Sequence, residues 1–407
     1  SIFTYINMLS SYDTEARGWL YVFLLYALCW FLHRVLPPFT PVEGYVCDCA
    51  STLPLKYRFN GFYTLLVVVS SLYYLSTVDM FDPTDLARCY WPMFRAAFFL
   101  GISASVFLYY RGLNRLQQGL VDKGSSCLTT NGPRSLAAKS IKEFESRSTL
   151  EHFYCGIEWN PIVGGVDIKM FNYLVGAVVL ACNVLSAVAT HVNHVNGSES
   201  CSNAMWAYGI PMCWFICEYM WFEHVHVYTY DIFRERTGMK MSWGCFLFYP
   251  FFYCVGVWPI VTHFETSDAI DLSLGVAIGC ISVFFAGWTL TRGANLQKFG
   301  WRHHKQSSFL GVKNETIQGS KQRLLCTGFW GIARHINYTG EILQGIGLAL
   351  PGYLVSGSWL PFCYPLYYVL LFVGRDLDDD KACHEKYGKS WLMYLERVPY
   401  RMVPGIY

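Results

Sequence analysis

Seven apolar runs constrain this chain more than anything else in it. Trp19 to Leu36, Phe62 to Val78, Trp91 to Tyr110, Phe171 to Ala189, Ala204 to Phe222, Trp243 to Thr262 and Ile270 to Leu290 each continue for roughly 17–21 residues with few or no charges. As helices, runs of that length cross a hydrocarbon core of ~30 Å. An eighth stretch, Ile346 to Val373, is longer and is broken by Pro351, Gly352, Gly357 and Pro361, which predicts a hairpin of two short helices. Only 15% of the 407 residues are charged and 53% are hydrophobic. Soluble chains carry about a quarter charged residues, so an ordinary soluble domain is excluded. The expected fold is all-α, a polytopic integral membrane protein, with residues 1–407 in one helical membrane domain. The lipid bilayer is its first partner, and no nucleic-acid partner is expected.

The net charge of +2 carries little information, but the distribution of charge does. Arg292, Lys298, Arg302, Lys305, Lys313, Lys321 and Arg323 face a single acid, Glu315, which places this loop on the cytosolic side by the positive-inside tendency. Lys298 and Arg302 stand four residues apart, so both project from one helix face and could clamp a phosphate. The sixteen Cys form no CxxC pair and scatter through apolar spans as small buried hydrophobes. His191/His194 and His224/His226 lack a third ligand, so no metal site is expected. No Gly-x-Gly-x-x-Gly follows a strand pattern, so any nicotinamide cofactor must be held by the spans and their loops.

Three clusters carry chemistry. From Trp330 to Glu341 the chain packs Arg334, His335, Asn337, Tyr338 and Glu341 directly before an apolar span. Trp, Arg, His and Tyr all favour the headgroup layer, but a membrane anchor needs only two or three of them. The run reads instead as a polar, donor-rich cup for a soluble anionic cofactor beside a greasy substrate. In the tail, Arg375, Asp379, Cys383, Tyr387 and Tyr394 recur at helical spacing and are expected on one helix face, able to cover an adenine and ribose. The third cluster is Tyr219 with Glu223 one turn on, at the end of a span where an ionisable residue is a functional candidate by default.

These residues resemble the sterol reductase family of the endoplasmic reticulum: the Δ14-, Δ7- and Δ24(28)-sterol reductases and the membrane half of lamin B receptor. The similarity runs from about Pro41 to Tyr407. It is carried by Leu55 to Gly61, Gly156 to Pro161, Asp167 to Phe171, Asp231-Ile232, Arg292 to Lys298, the Trp330 run and the tail. The resemblance implies about ten transmembrane helices and an NADPH pocket in the carboxyl-terminal half, residues 292–407. Carried over by motif, the cofactor contacts are Lys298, Arg302, Trp330, Asn337, Tyr338, Arg375, Asp379, Cys383, Tyr387 and Tyr394, joined by Arg334 and His335 from the cup. Tyr219 matches a tyrosine implicated in the reaction. One of the ten helices is hidden, in Phe3 to Ser10 or in Arg111 to Asp122. Relatives read His-Arg-x-x-Arg-Asp in the tail where this chain has Gly374 and Asp378, which removes a cation.

The implied activity is NADPH-dependent reduction of a sterol ring double bond in an endoplasmic reticulum membrane. Gly328 to His335 and the ending Pro404 to Tyr407 look most like Δ7-reductases, while Arg292 to Lys298 and Glu43-Gly44 lean toward Δ14 or Δ24(28) relatives. Δ7 is the favoured position. An isolated ring alkene accepts hydride only once it takes a proton, so the protein must supply an acid and exclude water. Tyr219, with a pKa near ~10, is the expected donor and Glu223 the group that polarises or reloads it. Two rivals share the residues: a membrane methyltransferase using S-adenosylmethionine, and a non-catalytic sterol-binding scaffold.

Overall fold

Inside a bilayer no water is available to backbone N–H and C=O groups, so the apolar runs satisfy themselves as helices. The computed structural model describes residues 14–39, 42–47, 54–121, 141–195, 201–227, 232, 235–266, 268–318 and 323–407. Phe3 to Ser10, offered above as a hidden helix, lies outside the described residues. The long helices are α1 (Thr14–Val35), α2 (Gly61–Thr77), α3 (Tyr90–Gln117), α4 (Ile168–His194), α5 (Asn203–Trp221), α6 (Leu274–His303), α7 (Ile336–Ser356) and α8 (Cys363–Tyr387). Four of these, α1, α3, α4 and α6, are long and apolar enough to cross a membrane, and α2 is a shorter apolar helix. About ten transmembrane helices remains what the resemblance implies. Strands among the described residues form four small antiparallel hairpins.

The chain divides into two compact units, one drawn from Ser1–Cys201 and Met212–Cys254, the other from Ser202–Pro211 and Val255–Tyr407. The expected span Trp243 to Thr262 is not one helix, and its residues divide between the first unit, up to Cys254, and the second, from Val255. A turn at Met239–Trp243 runs into a π-helix over Gly244–Phe252, and regular helix resumes only at Trp258–His263. Pro250, inside the π-helix, has no N–H to give the ladder. The displaced carbonyls find donors on three other helices. Tyr26 of α1 donates to the Phe246 carbonyl at 2.7 Å, Asn183 of α4 to that of Pro250 at 2.9 Å, and Tyr90 of α3 to that of Phe251 at 2.5 Å. Gly176 of α4 makes the approach possible: a Cβ there would stand 2.7 Å from the Cys245 carbonyl oxygen.

In the second unit α6 and α7 cross with backbone nearly touching. A Cβ on Gly287 would lie 2.6 Å from the Gly340 carbonyl, and one on Gly347 would lie 2.7 Å from the Phe284 nitrogen. Close approach lets Thr291 of α6 donate to the Asn337 carbonyl at 3.0 Å, while Gln344 of α7 donates to Thr291 at 3.2 Å. The hairpin after α7 turns at Gly357, which ends the helix at φ 69°, and a 3-10 turn at Leu360–Phe362 leads into α8. Pro351 stays inside α7 instead of ending it.

A buried ion pair ties the first unit together. Arg17 of α1 reaches both oxygens of Asp85 at 2.7 Å, and Tyr21 donates to the same carboxylate at 2.5 Å. Removing one partner strands the other charge in an apolar site. Asp85→Ala should cost about 3–5 kcal/mol and lower the thermal midpoint of the detergent-purified protein; an unchanged midpoint would show that the pair carries no stability.

Candidate functional site

The carboxyl-terminal end of α6 is organised by one buried amide. Gln297 donates at 3.0 Å to both Asn314 Oδ1 and the Thr327 carbonyl, and its own oxygen accepts from the Phe329 N–H at 3.0 Å. The connecting residue Gly328 sits at φ 63°, and a Cβ there would stand 2.5 Å from Gln297 Nε2. Glycine is required on both counts. The turn Phe329–Ile332 that follows is thereby pinned to α6. Trp330 donates from Nε1 to the Ala294 carbonyl at 2.8 Å, and Lys298, one turn further along, holds its ammonium 4.8 Å from the Trp330 ring centroid.

Around that pair the tail closes. Tyr394 donates to the Trp330 carbonyl at 3.4 Å. Cys383 packs against a buried cluster of Cys326, Tyr387, Trp391, Tyr394 and Val398. Arg302, Asp379 and Lys386 stand close enough to act electrostatically on the Lys298 ammonium. The tail is not a single helix, however. α8 ends at Tyr387, Gly388 turns the chain at φ 53°, and Tyr394 lies on a separate helix, α9 (Lys389–Arg397). The expected common face therefore holds for Arg375, Asp379, Cys383 and Tyr387 only, and packing rather than helical spacing brings Tyr394 to them.

A second group gathers at the start of α7. Arg334 is 8% exposed; its Nη2 donates to the Pro399 carbonyl at 3.3 Å and its Nε has no hydrogen-bond partner among the described residues. Asn337 gives its carbonyl to Thr291, and its buried Oδ1 has no partner among them either. His335 stacks on Tyr338 at 4.8 Å, Tyr338 on Phe372 at 4.2 Å and Phe372 on Tyr368 at 5.1 Å, with interplanar angles of 8°, 3° and 5°. Arg375 lies 6.0 Å from the Phe372 ring, beside this column. Asp376 accepts from His335 Nε2 at 3.2 Å, Arg401 Nη1 at 2.5 Å and the Tyr407 hydroxyl at 3.2 Å. Burial by itself would raise that carboxyl, yet the His335 and Arg401 contacts hold it down at about 2.

The first unit holds a small cavity lined by Met170, Tyr173, Tyr219, Met220, Glu223, His226 and Ile232. The Tyr219 ring lies 4.1 Å from His226, 6.0 Å from Tyr249 and 6.1 Å from Phe215. Glu223 is buried and accepts from the Gly61 N–H at 2.9 Å, so its carboxyl group takes up a donor at the first turn of α2.

Residues 3–407 match the model of the Ergosterol biosynthesis ERG4/ERG24 family. The chain belongs to that family. It is 28% identical over 354 residues to the Delta(14)-sterol reductase of Arabidopsis thaliana, covering 87% of each chain. It is 27% identical over 395 residues to the Delta(14)-sterol reductase of Methylotuvimicrobium alcaliphilum, covering 94% of this chain and 82% of the relative. The probable 7-dehydrocholesterol reductase of Acanthamoeba polyphaga mimivirus is 28% identical over 390 residues, 92% of this chain and 78% of the relative. Sterol reductases are oxidoreductases, and this member is a multi-pass membrane protein.

Within this sterol reductase, Lys298, Trp330, Cys383, Tyr387 and Tyr394 gather at one end of the second unit, and Arg334, His335, Asn337 and Tyr338 at the start of α7. Three residues escaped the sequence reading: Gln297, Asp376 and His226. Asp376 stands three residues before Asp379 in an acidic run, and only its burial separates it from its neighbours. His226 had been weighed only as a metal ligand. Gln297→Leu keeps the shape of the side chain but strands the Phe329 N–H and the Thr327 carbonyl, an expected loss of about 1–3 kcal/mol. A changed emission of Trp330 should accompany it, and a wild-type melting curve would refute this role.

Proposed function

We propose that the chain reduces a sterol ring double bond with NADPH in an endoplasmic reticulum membrane. The observation that carries the cofactor half is a pair of cations and an amide oxygen that suit a polar ligand. Among the described residues, buried Arg334 has no partner for its Nε and Asn337 none for its Oδ1, and Lys298 lies over Trp330. A dinucleotide brings phosphate oxygens for the guanidinium and ammonium, an adenine face for the rings and amide donors for Asn337. These residues fit it. When bound, NADPH supplies a hydride.

The remaining chemistry falls to the chain. Tyr219 is the proposed proton donor. Its O–H bond breaks as a C–H bond forms on one alkene carbon, leaving on the other a tertiary carbocation of the kind that a bound NADPH would reduce. A proton from solvent then converts the Tyr219 phenolate back to the phenol, and Glu223, lining the same cavity, is the proposed carrier. Apolar walls at Met170, Met220 and Ile232 exclude the water that would trap the cation. Arg302, His335, Tyr338, Arg375 and Asp379 complete the proposed cofactor contacts.

Δ14 is the double bond we favour, because most of the similar relatives carry that name. The Δ7 position is the second reading, supported by the Gly328 to His335 run and by the mimivirus relative. Incubating detergent-purified protein with NADPH and Δ14, Δ7 and Δ24(28) sterols, followed by mass analysis, separates them: only the true substrate gains two hydrogens. No gain with any sterol would sink the reductase reading. Tyr219→Phe should lower turnover at saturating NADPH by about a hundredfold or more, and near-normal turnover would remove Tyr219 from the chemistry. Arg375→Ala should weaken NADPH binding by about 1.5–3 kcal/mol, read as a raised dissociation constant; an unchanged constant would take Arg375 out of the site.

A further inference from the structure

The last nine residues of the chain are built into the start of α7. Four successive carbonyls, those of Pro399, Tyr400, Arg401 and Met402, accept in turn from Arg334 Nη2 at 3.3 Å, the Arg334 N–H at 3.0 Å, the His335 N–H at 2.8 Å and the Thr339 hydroxyl at 2.7 Å. The strap then folds back on itself, since the N–H groups of Arg401, Met402 and Val403 converge on the Tyr407 carbonyl oxygen at 3.0–3.1 Å. Strap and cup meet at one side chain. Asp376, on α8 just beyond the apolar part of the hairpin and only 1% exposed, takes His335 from the cup and both Arg401 and Tyr407 from the strap. Arg401 reaches on to Asp380 at 3.4 Å.

We propose that Asp376 is a positioning residue for dinucleotide binding, fixing the strap whose carbonyls hold Arg334 and His335 in place. A buried carboxylate costs free energy unless donors surround it, and here His335 meets Oδ1 while Arg401 and Tyr407 both meet Oδ2. Those contacts consume Arg401 and orient the His335 ring onto the aromatic column. Arg334, a few ångströms of backbone away, makes no ion pair among the described residues and has an unsatisfied Nε. Asp376 thus sorts the cations of this end: Arg401 is spent inside the protein, and Arg334 is kept for a phosphate oxygen of the ligand. Removing the Asp376 charge frees Arg401 and loosens the strap, so the Arg334 guanidinium loses its fixed direction. Pre-organisation of that kind shows in affinity before it shows in chemistry.

The inference rests on the cofactor reading above, and the test separates the two. NADPH binding to the detergent-purified full chain is measured by equilibrium titration, alongside KM for NADPH and kcat with a reducible sterol. Asp376→Asn should raise the dissociation constant about ten- to a hundredfold, the equivalent of one lost charge-assisted hydrogen bond. The change should fall mainly on KM, and Asp376→Glu should recover most of it. Tyr407→Phe removes one of the three donors without disturbing the ring, and should raise the constant a few-fold even if Asp376→Asn does not fold. An unchanged dissociation constant in folded Asp376→Asn or Tyr407→Phe overturns the proposal. So does a parallel fall in sterol binding and kcat with KM for NADPH unmoved, which marks a general structural role. Wild-type protein that binds no NADPH overturns the cofactor reading itself, and the positioning role with it.

Discussion

Every backbone polar group at membrane depth must find a partner within the protein, and most of this architecture follows from that demand. Where the sequence allows regular helix, as in α4, the partner is four residues back. Where Pro250 forbids it, the chain winds wider and borrows donors from Tyr26, Tyr90 and Asn183 on three other helices. The π-helix is therefore a shared element. Its Tyr249 ring lies 6.0 Å from that of Tyr219.

The second unit meets the same demand differently. Glycines at 287, 340 and 347 bring α6 and α7 into backbone contact, so that hydroxyl and amide side chains at Thr291 and Gln344 can bridge them. Such close crossings are how helices associate where lipid tails are as apolar as leucine. Beyond the apolar part the chemistry changes. Gln297 and Asp376 are buried polar hubs, each making three contacts, and together they fix the two halves of the cup. Satisfied networks of this kind rigidify a site because breaking one member strands the others.

Much of this could be read in advance and some could not, and particular residues show why. The membrane helices follow from apolar length, and the cup from the crowding of Arg334, His335, Asn337 and Tyr338 before a span. Lys298 and Trp330 carried the motif resemblance and prove to be in contact. The single helix expected from Arg375 to Tyr394 failed because Gly388 adopts a positive φ that spacing does not reveal. The Trp243 to Thr262 span failed because apolarity was legible whereas the remedy for Pro250 lay on other helices. Glu223 stands out in sequence as an ionisable residue at the end of a span, but its burial and its hydrogen bond to the Gly61 N–H, 162 residues away, are not legible there.

Apolar runs, their breaks and a few local motifs are properties of neighbouring residues, so the amino-acid order alone determined a membrane-embedded helical chain of the sterol reductase family with a cofactor-like cup near its end. Tertiary structure decided which polar groups are spent inside the protein and which are left over. Asp376 and Asp378 are alike in sequence, two carboxylates two positions apart. Only the folding of the strap onto α7 buries the first among three donors and leaves the second in the open. Burial depends on what the rest of the chain brings alongside, and no local pattern encodes that.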